Sequence, residues 1–303
     1  MKGDIEQRTI DGIRRSPIRS RASVILALGL AAGMMSPTLA ETTKPSTGVH
    51  GVTGRVTYSG PPEKQPAWLK ELKDNPKYRD LIPRSSFCRK VAPSELVDGN
   101  FPMLKAIEVG AKGELKGAIV AVTDILDDKF MADYPGTDVV IERCRYSPFT
   151  GVVVKGKSLR VENLDADPND PKAVKGVSHN AHAFEVQGVV SKTIFNVFLP
   201  EKGSRFDKPV GLNKEKKGSE VRLQSDDHPW EQAFFLFVTN PYYAKATDDG
   251  TFVIKGVPPG RHRIVAWHPF AGRAEADIVV DERGSAQVNF ELQKRKGESR
   301  PSD

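Results

Sequence analysis

Short apolar runs separated by turn-forming residues dominate the chain from residue 49 onward. Residues 51–58 (GVTGRVTY) alternate in polarity and stop at a Ser-Gly-Pro-Pro sequence, while residues 117–122 (GAIVAV) and 138–142 (DVVIE) have the composition of buried strands. Many short strands with turn signals between them are typical of β-sandwiches. Amphipathic helical spacing is found chiefly in the charged stretch 63–90. The pattern therefore predicts an all-β fold and disfavours an α/β enzyme.

The first forty residues have the pattern of an export signal. Four arginines within residues 14–21 precede an uncharged run, residues 22–40, whose apolar core over 22–35 is 14 residues long. That core is shorter than the roughly 20 residues that span a bilayer, and it suits a secretory signal. We expect cleavage after Ala40, with an uncleaved N-terminal anchor as the alternative. The processed protein is then expected to be periplasmic or secreted, without a membrane span.

The charge balance argues against a nucleic-acid partner. The chain has 45 Lys and Arg against 39 Asp and Glu, a formal net charge of +6. Residues 1–40 hold six basic and three acidic side chains, so the remainder has a net charge of only +3. A net charge that small does not indicate the basic surface that nucleic-acid binding requires.

The sequence holds two cysteines, Cys88 and Cys144. In an oxidising compartment an isolated pair is a disulfide candidate. Closing a loop of this length would stabilise the fold by roughly 4 kcal/mol in the chain-entropy model. The alternative is two separate buried thiols. Neither cysteine lies in a Cys-x-x-Cys pair, so thioredoxin-type chemistry is not expected.

Residues 247–267 (TDDGTFVIKGVPPGRHRIVAW) carry the clearest short pattern. Asp249-Gly250 predicts a tight turn, and Pro258-Pro259-Gly260 predicts a second turn before the next strand. The pattern resembles the carboxypeptidase regulatory-like domain, a small transthyretin-like β-sandwich. That resemblance implies a module over residues 240–292 that folds, docks or binds and has no catalytic residues of its own.

Two further stretches resemble the copper loops of cupredoxins, which have the plastocyanin-like fold. They are residues 177–184 (VSHNAHAF) and 224–231 (QSDDHPWE). The resemblance implies a Greek-key β-sandwich over residues 49–239, with an N-terminal β extension. His179 and His228 take the two histidine positions of the family. Ser225 stands where the family has cysteine, and Glu231 where it has methionine.

The missing thiolate changes the chemistry that these loops can support. A serine hydroxyl is neither anionic at neutral pH nor soft, so blue-copper electron transfer is not expected. His179, His228 and Glu231 can instead bind Cu(II) or Zn(II) through two imidazoles and a carboxylate. The alternative is a degenerate copper site whose histidines only pack or hydrogen-bond. His182 is expected to point away from this site on an alternating strand.

The remaining motifs indicate neither a calcium site nor a catalytic site. Asp165, Asp167 and Asp170 alternate, but the glycine and bidentate glutamate of an EF-hand are missing, so we expect a solvated acidic loop. The Gly-x-Ser-x-Gly elbow, the P-loop and the His-Glu-x-x-His motif are all missing from the sequence.

The order of the pieces resembles that of bacterial periplasmic proteins named methylamine utilization proteins or plastocyanin-like proteins, including the stretch at residues 194–200 (IFNVFLP). We therefore expect an exported, non-enzymatic binding or scaffold protein, with a polar, disordered tail over residues 293–303. Copper or zinc is the possible cofactor, and the partner is a periplasmic protein or a glycan. A metal-binding protein and a carbohydrate- or cell-surface-binding module are the alternatives.

Overall fold

The computed structural model describes most of the chain from residue 51 onward. The described ranges are 51–60, 87–88, 96–97, 101–102, 106–188, 190–211, 219–228 and 230–293. The expected export signal (1–40), nearly all of the charged stretch 63–90, and residues 294–303 of the expected tail lie outside them. In the described part, no helix is long and apolar enough to cross a membrane.

The described residues confirm the all-β prediction. The short helix α1 (Asp128–Asp133) begins after Asp127, whose carboxylate accepts a hydrogen bond from the backbone N–H of Phe130 at 2.8 Å. The strands are β1 (Val52–Tyr58), β2 (Leu96–Val97), β3 (Phe101–Pro102), β4 (Ile119–Val122), β5 (Thr137–Ile141), β6 (Tyr146–Ser147), β7 (Thr150–Val153), β8 (Ser158–Asn163), β9 (His179–Gln187), β10 (Val190–Leu199), β11 (Arg205–Pro209), β12 (Glu220–Gln224), β13 (Gln232–Phe237), β14 (Tyr243–Lys245), β15 (Thr251–Ile254), β16 (Gly260–His268), β17 (Gly272–Val280), β18 (Ala286–Gln287) and β19 (Phe290–Leu292).

Two sheets face each other in what we call the first sandwich. One has the strand order β10-β9-β12-β13-β7 and the other the order β11-β8-β5-β6. Ala181 and Ala183 of β9 share a buried core with Leu159 and Val161 of β8. These positions alternate with outward-facing ones, as a strand buried on one face requires. The first sandwich holds both stretches that resemble copper loops.

A second sandwich pairs β15-β1-β18, extended by β19 on β1, with β14-β4-β16-β17. Val52 and Val56 of β1 pack in one core with Val120 of β4 and Ile264 of β16. Strands from residues 49–239 and from 240–292 therefore share both of these sheets. The sheets do not divide at residue 240, because β1 and β4 complete the structure formed by the C-terminal strands.

A third apolar cluster joins the two sandwiches. Phe234 and Leu236 of β13 pack in it with Ile119 of β4 and Val265 of β16, so β13 is buried on both faces. Trp267 of β16 also packs there, and its Nε1 donates to Glu220 Oε2 at 3.0 Å. Trp230, in the loop before β13, belongs to the same cluster.

Candidate metal centre

Strand β9 directs His179 into the protein and His182 out of it. His179 is fully buried, and burial alternates along the strand so that His182 lies on the opposite face. There His182 Nδ1 lies 2.9 Å from Asp226 Oδ1, and its Nε2 lies 3.1 Å from Thr193 Oγ1. His182 therefore takes no part in the buried site.

The loop between β12 and β13 carries His228 and Glu231. The Ser225 N–H donates to the carbonyl oxygen of Glu231 at 3.0 Å, and the Glu231 N–H donates to that of His228 at 2.8 Å. The Ser225 hydroxyl oxygen accepts from the N–H of His228 at 3.0 Å. Ser225 thus holds the loop closed and is occupied by backbone donors.

His179, His228 and Glu231 converge on one point. Glu231 Oε1 lies 2.9 Å from His179 Nδ1 and 3.0 Å from His228 Nδ1. The two imidazole rings are 5.4 Å apart between centroids, at an interplanar angle of 66°. Trp230 stacks on His228 with ring centroids 5.0 Å apart, which restricts rotation of that ring.

The donor atoms at this point form short ion-pair contacts that miss hydrogen-bond geometry. Both ring nitrogens of His179, His228 Nδ1 and both Glu231 carboxylate oxygens are shielded from solvent. Leaving a buried polar group unsatisfied costs about 1–3 kcal/mol. Ligands about 2.0–2.1 Å from one tetrahedral Zn²⁺ are about 3.3 Å apart, close to the spacing seen here. The arrangement therefore fits a metal ion with two nitrogen ligands and one oxygen ligand.

Asp165 lies behind His179, and the sequence analysis missed its role. Its Oδ2 is 3.0 Å from His179 Nε2, and both Asp165 and Asp167 are buried, so the expectation of a solvated acidic loop was wrong. The alternation of β8 continues past the end of the strand, with residues 161, 163, 165 and 167 all buried. That continued period of two was the signal that could have identified Asp165.

Two backbone N–H groups fix the Asp165 carboxylate. Arg143 donates to Oδ1 at 2.6 Å and Cys144 donates to Oδ2 at 2.8 Å. Both donors have left-handed backbone angles, with φ of 53° and 57°, which are uncommon for residues other than glycine. Consecutive N–H groups in a turn of this kind form a concave anion-binding nest.

Cys88 and Cys144 form a disulfide beside this centre. Their Cα atoms are 5.5 Å apart, and both side chains are fully buried. Cys88 Sγ and ligand atoms of His228 and Glu231 all lie within 4.8 Å of one another. Cys144 Sγ lies equally close to ligand atoms of Asp165 and His179. In the oxidised protein these sulfurs are not thiolates, so the available donors are nitrogen and oxygen.

Electrostatics favour a charged centre despite its burial. Burial opposes charge on the ring, but Glu231 and Asp165 outweigh it and raise the pKa of His179 to about 10. Burial likewise opposes charge on the carboxyl, but His179 and His228 outweigh it and lower the pKa of Glu231 to about 2. At neutral pH the metal-free centre therefore holds a carboxylate beside an imidazolium ion.

The chain was compared with known proteins. No protein-family model matches it, and no curated protein matches it. Among solved structures it is similar to a purple cupredoxin from Nitrosopumilus maritimus, with 18% identity over 34% of this chain and 99% of that chain and a TM-score of 0.25. A reduced Cu(I) amicyanin variant matches with 15% identity over 38% of this chain and 87% of that chain, with a TM-score of 0.24.

The Cu-containing nitrite reductase from Thermus scotoductus SA-01 also matches, with 15% identity, 35% of this chain covered and a TM-score of 0.25. The match spans 23% of the nitrite reductase chain. Likenesses at these identities and TM-scores carry no information about ligands. The case for a metal therefore rests on the geometry of His179, His228 and Glu231.

Proposed function

We propose that this chain is an exported, non-enzymatic protein that binds one divalent metal ion, Cu(II) or Zn(II), through His179, His228 and Glu231. The observation that carries the proposal is that Glu231 Oε1 lies 2.9 Å from His179 Nδ1 and 3.0 Å from His228 Nδ1, with all three atoms shielded from solvent and without hydrogen-bond geometry. One divalent ion satisfies all three donors.

The donor types narrow the choice of metal. Two imidazoles and a carboxylate suit Zn(II) and Cu(II), whereas Cu(I) prefers thiolate and thioether sulfur. Ser225, at the position of the cupredoxin cysteine, accepts from the backbone N–H of His228. The oxidised chain therefore has no thiolate for a type 1 copper site, and we propose no electron-transfer role for it.

Burial supports binding rather than catalysis. Among the described residues, His179 and Glu231 are 0% exposed and His228 is 6% exposed, so the three proposed ligands are shielded from solvent. A structural zinc site is closed by four protein ligands and a three-ligand set leaves one position open, so the support for a binding role comes from the burial of the ligands. This supports a binding role without an enzymatic activity.

A second candidate is a scaffold that binds a glycan and whose copper site is degenerate. The outer face of β9 and β10 carries Phe198, which is 61% exposed, opposite Asn180 on the neighbouring strand. An exposed aromatic ring can stack on the apolar face of a sugar. In this alternative the charges of His179 and Glu231 neutralise each other and no metal is bound.

Metal titration separates the two candidates. The oxidised chain, stripped of metal with a chelator, is titrated with Zn(II) and with Cu(II) by calorimetry, and unfolding curves check that each variant is folded. We expect one equivalent to bind, with binding lost in His228→Ala and retained in His182→Ala, a histidine control on the opposite face. Absence of binding, or equal binding by His228→Ala, would contradict the metal proposal and favour the scaffold.

A further inference from the structure

The disulfide lies near both halves of the candidate metal centre. Cys88 Sγ lies within 4.8 Å of ligand atoms of His228 and Glu231, and Cys144 Sγ lies within the same distance of Asp165 and His179. All of these side chains are buried. The proposed three-ligand site uses neither sulfur.

Reduction changes what Cys88 can donate. A dithiol reductant transfers two electrons and two protons, breaks the S–S bond, and leaves two protein thiols while the reductant itself becomes a disulfide. A thiol that binds a metal ion releases its proton and becomes a thiolate ligand. Thiolate is softer than imidazole or carboxylate and favours Zn(II) and Cu(I).

The distances make Cys88 the sulfur that can complete the centre. A Zn–S bond of about 2.3 Å and a Zn–N bond of about 2.0 Å place ligand sulfur and nitrogen about 3.5 Å apart. Cys88 Sγ is within 4.8 Å of its neighbouring donors while still bonded to Cys144, and rotation about χ1 of the freed side chain can close that gap. Cys144 Sγ lies within the same distance of Asp165 and His179 and so neighbours one of the three proposed ligands, whereas Cys88 neighbours two.

We propose that the Cys88–Cys144 disulfide is a redox-controlled source of a fourth ligand. Reduction adds the Cys88 thiolate to His179, His228 and Glu231 and converts the centre from a nitrogen and oxygen site to a four-ligand site with sulfur. This inference rests on the proposed metal site. It predicts that the metal preference of the protein changes with the redox state of its surroundings.

The test uses Co(II), whose thiolate complexes absorb in the near ultraviolet, with two variants that both lack the disulfide. Cys144→Ala leaves Cys88 free without any reductant, and Cys88→Ala leaves Cys144 free, so the loss of the disulfide affects both equally. Thiol counting verifies the redox state of the wild-type chain. We expect a charge-transfer band in the reduced wild type and in Cys144→Ala, and its loss in the oxidised wild type and in Cys88→Ala.

The outcomes distinguish this inference from the proposed function. Co(II) binding without a charge-transfer band in Cys144→Ala overturns the fourth ligand and leaves the three-ligand site standing. A band of equal strength in Cys88→Ala also overturns it. A band in Cys144→Ala without any metal binding by the oxidised wild type supports the Cys88 ligand and overturns the three-ligand proposal alone.

Discussion

Asp165 Oδ2 lies 3.0 Å from His179 Nε2, on the side of the ring opposite Glu231. Backbone N–H groups hold this carboxylate beside Nε2, while Nδ1 of the same ring faces the centre. A carboxylate behind a histidine ligand orients the ring and strengthens its donor atom. Asp165 is therefore a positioning residue of the proposed site.

Replacing Asp165 should weaken metal binding without removing a ligand. Asp165→Asn keeps the shape of the side chain but removes the negative charge beside His179. We expect Zn(II) affinity to fall by about 10- to 100-fold, the usual effect of losing such a partner. A chelator competition assay measures the change.

Asp226→Asn is the matched control, since Asp226 contacts His182 on the opposite face of the same sheet. This variant should bind Zn(II) as the wild type does. Equal losses in the two variants would mean that Asp165 acts only through overall stability or net charge.

The Ser225 hydroxyl should matter for stability through the loop that carries His228. Ser225→Ala removes the acceptor for the N–H groups of Asp227 and His228, at 3.3 and 3.0 Å. An unsatisfied buried donor costs about 1–3 kcal/mol, so we expect the free energy of unfolding to fall by about that amount. Ser225→Thr retains a hydroxyl and should lose less in the same urea titration, and equal losses would show that the hydroxyl bond is unimportant.

Reduction of the disulfide should destabilise the metal-free chain. Cys88 and Cys144 are 56 residues apart in sequence, and opening a loop of that size costs roughly 4 kcal/mol in the chain-entropy model. Urea unfolding with and without a reductant measures the difference. The double variant Cys88→Ala, Cys144→Ala should show no response to the reductant, and a response there would assign the effect to something other than the disulfide.

His268 should make the fold sensitive to acid. Burial, assisted by the nearby positive charge of Lys245, lowers the pKa of His268 to about 3. In the unfolded chain His268 is therefore protonated near pH 6.5, whereas in the folded chain it is protonated only near pH 3. The contribution of His268 to the free energy of unfolding is present in full above pH 6.5. It is lost as the pH falls from 6.5 towards 3, by up to about 1.4 kcal/mol per pH unit.

The geometry of His268 agrees with a neutral ring. Its Nδ1 accepts from the backbone N–H groups of Phe270 at 3.4 Å and Ala271 at 3.3 Å, which a protonated nitrogen cannot do. His268→Gln cannot titrate, so unfolding curves between about pH 7 and pH 4 should show a shallower loss of stability in this variant. An unchanged slope would show that other groups set the acid dependence.

The sequence predicted the features that depend on local periodicity. Alternation was enough to place His182 on the face opposite His179, and the turn residues were enough to indicate a chain of short strands. The resemblance to copper loops selected His228 and Glu231, which local pattern alone does not distinguish from other loop residues. The short helix α1 was missed because six residues give too little periodicity to detect.

Long-range pairing could not be read from local pattern. β1 pairs with β15 and β18, about 200 residues later in the chain, and no sequence period records such a partner. The same limit hid the contact of Asp165 with His179, because it depends on how β8 and β9 face each other across the first sandwich. The left-handed backbone angles of Arg143 and Cys144 could not be predicted either, because residues of these two types rarely adopt them.

The central claim is that His179 and His228 bind one metal ion together, and pulsed EPR of the oxidised chain loaded with one equivalent of Cu(II) tests it most directly. The remote imidazole nitrogens modulate the signal, so the number of bound histidines can be counted. We predict two histidines in the wild type and in His182→Ala, and no site-bound copper in His228→Ala, which loses the site. A wild-type count of two that is unchanged in His228→Ala, or a wild-type count of none, would contradict the account.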